Sequence, residues 1–478
     1  MNYRMIAFFL SRVLLIMAGL LLLPLLTALA FGESLVPFAV TILLTALCGG
    51  ALALVRPVSR DIYAREGFVT VGLAWLSMSL LGAVPFVLSG DIPHFVDAFF
   101  ETVSGFTTTG ASILNDIESL SRSGLFWRSF THWIGGMGVL VFIMAVMPMS
   151  GERSMHIMRA EVPGPTVGKL VPRAKETARI LYMIYTAFTV AETVFLMLGG
   201  MSFYEALLHA FATAGTGGFS TRNASIAAFD SAYIEGVIAV FLILFGMNFN
   251  LFYLILIGRV REALGSEELH RYAEIILASV ALIVLGTVRR YGFAQSLRHG
   301  FFVTMTTLST AGFCTQDYTL WPAFLQTLIV LLMFIGGCAG STGGGLKVSR
   351  VMLLFRSAAA DVRRVIRPRT VSRVQMDGRR VSAETAGAVY TYVTLVMLIL
   401  LGCTALVSFD GHDFTTNFTA ALSCISNVGP GLGKIGPSGN FSIFSSFSKI
   451  VMAVTMLFGR LEIYAMLILF IPSTWKKR

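Results

Sequence analysis

Between Gly336 and Arg350 the chain reads GGCAGSTGGGLKVSR, with six glycines, three small hydroxyl residues and a lysine, the ingredients of a phosphate cradle. A P-loop needs G-x-x-x-x-G-K-[ST] between a strand and a helix. Counting from Gly340 reaches Gly345, but Leu346 intrudes before Lys347, and Val348 follows it. The preceding LQTLIVLLMFI is an apolar membrane segment rather than a strand, and no polar stretch is long enough to fold a nucleotide domain. HExxH, paired CxxC and nucleophile-elbow motifs are missing as well. Catalysis has no foothold, and the chain is read as a non-enzyme with no covalently bound cofactor.

A second chemistry recurs along the sequence. The segments DAFFETVSGFTTTGAS, EALLHAFATAGTGGFST, HGFFVTMTTLSTAGFCT and NFTAALSCISNVGPGLG align on Gly110, Gly218, Gly312 and Gly429. Two places earlier stand Thr108, Thr216, Thr310 and Asn427, preceded by Thr107, Gly215, Ser309 and Ser426; Thr109, Gly217, Ala311 and Val428 fill the remaining column. The interval is roughly a hundred residues, too long for a solenoid repeat of about 20 to 50. It suits an apolar helix, a short helix, a Thr/Gly turn and a returning apolar helix. Irregular backbone at membrane depth is tolerated only when buried in protein or lining a wet cavity. Four such turns around one axis would present rings of carbonyl oxygens able to replace a cation's hydration shell. Glycine supplies the positive φ such a turn requires, and the C-terminal ends of the short helices favour a cation. Asn427 and Val428, where the first repeat has two threonines, remove a hydroxyl from one quadrant.

The elements that must hold these turns are transmembrane helices. Of 478 residues, 55% are hydrophobic and 13% charged, with a mean hydropathy of +0.77, far from the soluble mix. Ten apolar runs reach the roughly 20 residues of a membrane crossing: about 6–31, 34–55, 67–89, 126–148, 179–200, 232–258, 273–288, 323–357, 385–408 and 443–472. The first is too long for a signal-peptide core and is read as a retained helix. The fold class is therefore all-α integral membrane, with two N-terminal helices (1–65) ahead of four repeats at 66–150, 151–265, 266–370 and 371–478. Cys48, Cys314, Cys338, Cys403 and Cys424 sit in apolar or glycine-rich segments and form no disulfide framework.

Net charge is +10. Arg56, Arg60 and Arg65, then the stretch from Arg153 to Arg179, then Arg259, Arg261 and Arg271, and most densely Lys347 to Arg380, mark four connections as cytoplasmic, with both termini. Topology and anionic lipid account for these charges more simply than nucleic acid. Asp91, Asp97, Asp116, Glu118, Asp410 and Asp413 fall on the other side, while Arg289, Arg290 and Arg298 break the pattern.

Taken in order, SGFTTTGAS, ATAGTGGFSTRN, LSTAGFC and SNVGPGLG resemble the four pore loops of the Trk/Ktr/HKT superfamily of potassium transporters, and the two extra leading helices make the chain look like a Trk-type membrane subunit. The resemblance covers nearly the whole chain. It implies a potassium ion as cargo, uptake across a bacterial plasma membrane, a homodimer, and a separate cytosolic nucleotide-binding regulatory ring on the basic face. A serine at the first filter glycine goes with sodium transport in plant relatives; Gly110 here favours potassium. Glycine costs about 1 kcal/mol relative to alanine inside a helix, so Gly336, Gly337, Gly340, Gly343, Gly344 and Gly345 should break the eighth apolar run. By the resemblance this stretch, with Ser341, Thr342 and Lys347, is an intramembrane gate. Arg460, a charge near mid-membrane, would face it as a barrier or latch rather than pairing with Glu462. Glu192 and His132 are given no role. The alternatives are the channel-like subunit of an ATP-driven potassium pump, a cation symporter, or a membrane enzyme.

Overall fold

The computed structural model describes residues 1–55, 64–138, 174–367 and 374–476. Arg56, Arg60, Arg153, Arg159, Lys169, Arg173, Arg369, Arg373 and the end of the fourth apolar run lie outside those ranges. Among the described residues, six helices are long and apolar enough to cross a membrane: Tyr3–Phe31, Val36–Ala53, Arg65–Ser89, Ala178–Leu198, Glu267–Tyr291 and Ala383–Asp410. Several remaining apolar runs are broken. Ala232–Gly246 and Phe249–Leu256 meet at 86°. The eighth run stops at Ile335 and resumes at Val348, as its glycines require. The tenth divides into Ser446–Arg460 and Tyr464–Phe470, with Glu462 and Ile463 at positive φ between them.

Four short helices, Phe95–Phe106, Phe203–Ala214, Phe293–Leu308 and Phe414–Ser426, fill the centre. Ser202 and Asp413 cap the second and fourth by accepting from Glu205 N and Thr416 N, which satisfies N–H groups that a helix leaves open at its start. The returning helices are Arg122–Gly136, Ala232–Gly246, Ala323–Ile335 and Ser446–Arg460. Each of the first three packs against the next short helix in chain order, and the fourth packs against the first, so the packing closes on itself. Two ion pairs reinforce this circuit. Lys449 Nζ lies 2.6 Å from Asp97 of the first short helix, and Arg298 of the third grips Glu235 with two 2.8 Å hydrogen bonds. That pairing accounts for an arginine on the acidic side: it neutralises a carboxylate of the neighbouring helix.

The leading helices Tyr3–Leu20 and Val36–Ala53 pack on each other and on Ala64–Ser89, outside the central circuit. Behind the first short helix, fully buried Trp127 donates its indole N–H to Gly82 O at 2.9 Å, so a large ring enters the core without an orphaned donor.

Candidate functional site

The turn after each short helix has one backbone recipe. Thr108, Thr216, Thr310 and Asn427 adopt φ of 53°, 54°, 63° and 54°, and two residues on Gly110, Gly218, Gly312 and Gly429 have φ of 78°, 75°, 79° and 100°. A β-branched residue in the left-handed region is a genuine outlier, and strain of this kind persists only where the surroundings enforce it. Three threonines bear it here. Asn427 tolerates the region better and donates from its carboxamide to Thr109 Oγ1 and Met456 O, both at 3.0 Å. The quadrant without a threonine is thus tied by its side chain to the first quadrant.

Close approaches link the four turns. A Cβ on Gly110 would fall 1.9 Å from Gly217 O, on Gly218 2.0 Å from Ala311 O, on Gly312 2.0 Å from Val428 O, and on Gly429 2.8 Å from Thr109 O. Each glycine faces the carbonyl just before the next glycine, and the fourth faces the first. Thr107, Thr108, Thr109, Thr216, Ser309, Thr310, Ser426 and Asn427 are buried beside this closed cycle. Four short-helix C-termini, each worth about half a negative charge, end at the cycle. The arrangement can surround a dehydrated cation with backbone oxygens.

Charged side chains brace the turns from behind. Arg128 and Glu101 form a 2.6 Å pair with side chains 2% and 0% exposed. The guanidinium also donates to Ser220 O at 3.1 Å and lies 3.5 Å from the centre of the Phe219 ring, while Glu101 accepts from Ser112 Oγ and Ile113 N at 3.0 Å. His209 Nε2 is 2.9 Å from Ser220 Oγ. His132 stacks on Phe219 with centroids 4.0 Å apart, and a Cβ on Gly217 would strike its ring; Glu192 is fully buried. Sequence reading missed Glu101 and Arg128, although an arginine among apolar residues signals a partner. Arg128→Met is expected to lower stability by about 3–5 kcal/mol, because it leaves a buried carboxylate uncompensated; adding Glu101→Gln should restore part of it. Thermal unfolding of the purified variants checks both.

Beneath the third and fourth turns lies the segment 336–347. Gly344 N donates to Thr310 Oγ1 at 2.6 Å. A Cβ on Gly343 would fall 2.7 Å from Ser309 O, and one on Gly344 2.1 Å from Ser426 O. Gly336 and Gly345 back onto each other, and Gly340 and Gly345 share positive φ with Lys347, whose Nζ donates to Gly343 O. Cys338 N donates to Gly246 O at 2.9 Å, and Phe249 N donates to Gly340 O at 3.1 Å, which explains the bend between Gly246 and Phe249. Gly337 lies against Gly246, and Ser341 is buried nearby. Arg460 donates to Thr342 O at 2.7 Å and to Gly135 O at 2.6 Å. Glu462 pairs with Arg350 instead. The segment therefore touches turns three and four and the second returning helix directly, and reaches the first returning helix through Arg460.

Residues 35–271 and 269–477 match the family described as TrkH, cation transport protein. The chain belongs to this family. It is 35% identical over 486 residues to the Trk system potassium uptake protein TrkH of Escherichia coli K12, covering 100% of both chains. Against the Trk system potassium uptake protein TrkG of the same strain it is 32% identical, covering 95% of this chain and 94% of that one. Its fold is that of the crystal structure of the potassium transporter TrkH from Vibrio parahaemolyticus, with a TM-score of 0.90, 32% identity and full coverage of both.

Proposed function

We propose that the chain takes up potassium through a carbonyl-lined filter formed by the four turns, with residues 336–347 and Arg460 as its gate. The observation that carries this reading is the closed cycle of glycine-to-carbonyl approaches. Potassium is the cargo of the named TrkH and TrkG relatives. The filter comprises Thr107 to Gly110, Gly215 to Gly218, Ser309 to Gly312 and Ser426 to Gly429. Two leading helices and four helix–turn–helix repeats then make ten crossings, with the acidic loops outside and the basic connections in the cytoplasm of a bacterium. Membrane potential supplies roughly 2.3 kcal/mol per charge per 100 mV, enough to drive uptake without ATP chemistry in this chain. The basic connections suit a cytosolic nucleotide-binding ring, and a homodimer completes the assembly.

Purified protein in liposomes tests the reading. Under an inside-negative membrane potential not set by the potassium gradient, potassium is expected to enter without ATP or a second ion, and sodium much more slowly. Sodium moving as fast as potassium, or flux that demands ATP or a co-ion, overturns it.

A further inference from the structure

Helix Val348–Ile366 begins at Lys347, whose side chain makes no capping hydrogen bond. The cap comes from elsewhere. Glu268, with 5% of its surface exposed, accepts at one oxygen, Oε1, from Ser349 N at 3.1 Å in the first turn of that helix. The same oxygen accepts from Ala339 N at 2.7 Å, on the opposite limb of the glycine-rich segment. One buried carboxylate thus joins the two ends of the excursion that lies beneath the turns. Its charge also faces a helix N-terminus, where a negative group is favoured.

The helix that carries Glu268 is itself capped from outside. Its own cap residue, Ser266, makes no side-chain capping bond; Glu267 N donates to Asp377 Oδ1 at 2.8 Å. Asp377 and Gly378 form the turn of a two-stranded hairpin in which Gln375 faces Arg380 and Met376 faces Arg379, and both turn residues have positive φ, at 48° and 70°. An Asp-Gly pair suits such a turn. Arg356 of the capped helix closes the triangle, lying 2.6 Å from Glu267 and donating to Gln375 O at 2.6 Å. Hairpin, helix start and gate segment are therefore joined by caps in series.

We propose that Glu268 is a positioning residue that holds the segment 336–347 beneath the turns, and that the hairpin at Asp377 sets the place of Glu268. The flux consequence rests on the gate reading above; the positional claim does not. Cys338, beside Ala339 and fully buried, is a native reporter. Its labelling by a membrane-impermeant maleimide in the full-length protein, followed by peptide mass spectrometry that resolves Cys338 from the other four cysteines, reads the position of the segment. Potassium efflux from liposomes reads the gate.

Glu268→Ala is expected to label at least fivefold faster than the parent, and Glu268→Gln less so, because the carboxamide oxygen still accepts both N–H groups. Asp377→Ala should move labelling in the same direction by a smaller factor. Efflux should rise in the same order. Faster labelling with unchanged efflux keeps Glu268 as the anchor and removes the segment as gate. Unchanged labelling in a folded Glu268→Ala protein overturns the proposal. If that variant does not fold, unchanged labelling in Glu268→Gln and Asp377→Ala overturns it equally.

Discussion

Gly110→Ser is expected to reduce discrimination between potassium and sodium at least about tenfold, equivalent to about 1.4 kcal/mol. Gly110 has φ of 78°, and its missing side chain is the space into which Gly217 O points, 1.9 Å from where a Cβ would stand. Serine must push that carbonyl away, because the close atom is backbone and not a flexible tip. Displacing one of four oxygens removes a ligand that stands in for the water potassium gives up, so potassium loses part of its advantage over sodium. Gly402, whose Cβ would meet nothing within 4 Å, supplies the control, and Gly402→Ser should leave selectivity intact. Paired potassium and sodium fluxes in liposomes decide the matter; an unaltered ratio in Gly110→Ser would remove the glycine cycle from the selectivity mechanism.

Arg460→Ala is expected to raise partner-free potassium flux about tenfold. The guanidinium spans the gap between Thr342 O and Gly135 O at 2.7 and 2.6 Å. Hydrogen bonds from a charged donor contribute roughly 1.5–3 kcal/mol each, so losing the bridge shifts a closed segment toward release by at least a factor of ten. Lysine separates two causes. Arg460→Lys keeps a positive charge near the path but, lacking the planar fork, cannot hold both carbonyls. High flux in the lysine variant identifies a mechanical latch, and low flux identifies an electrostatic barrier. Parental flux in the alanine variant would exclude both. Removing Gly343, Gly344 and Gly345 together should also raise flux, because Gly343 and Gly344 form the contact with Ser309 and Ser426.

The turns were legible in the sequence because positive φ leaves a chemical trace: only glycine, or a residue strained in place, can occupy it. The break at Gly336 was legible for the same reason. The 86° bend after Gly246 was not. Its run contains no proline; Gly246 and the helix-capping Asn248 sit at the break, but the angle is set by distant residues, Cys338 and Gly340, which take over the backbone hydrogen bonds of Gly246 and Phe249. Arg298 appeared to violate the charge pattern because its partner, Glu235, lies 63 residues away. Glu101 with Arg128, and Glu268 with Ala339 and Ser349, escaped for that reason too. Each is one end of a long-range contact, and a single sequence shows the ends without the distance between them.

Because the four turns belong to one polypeptide, a substitution in any of them is made once. In a pore assembled from identical subunits the same change would be made in every quadrant together. Selection can therefore adjust one wall of the ring of turns while three keep their glycine-to-carbonyl contacts, as Asn427 already illustrates, and the filter proposed above can be retuned in quarter steps that a symmetric assembly could not take.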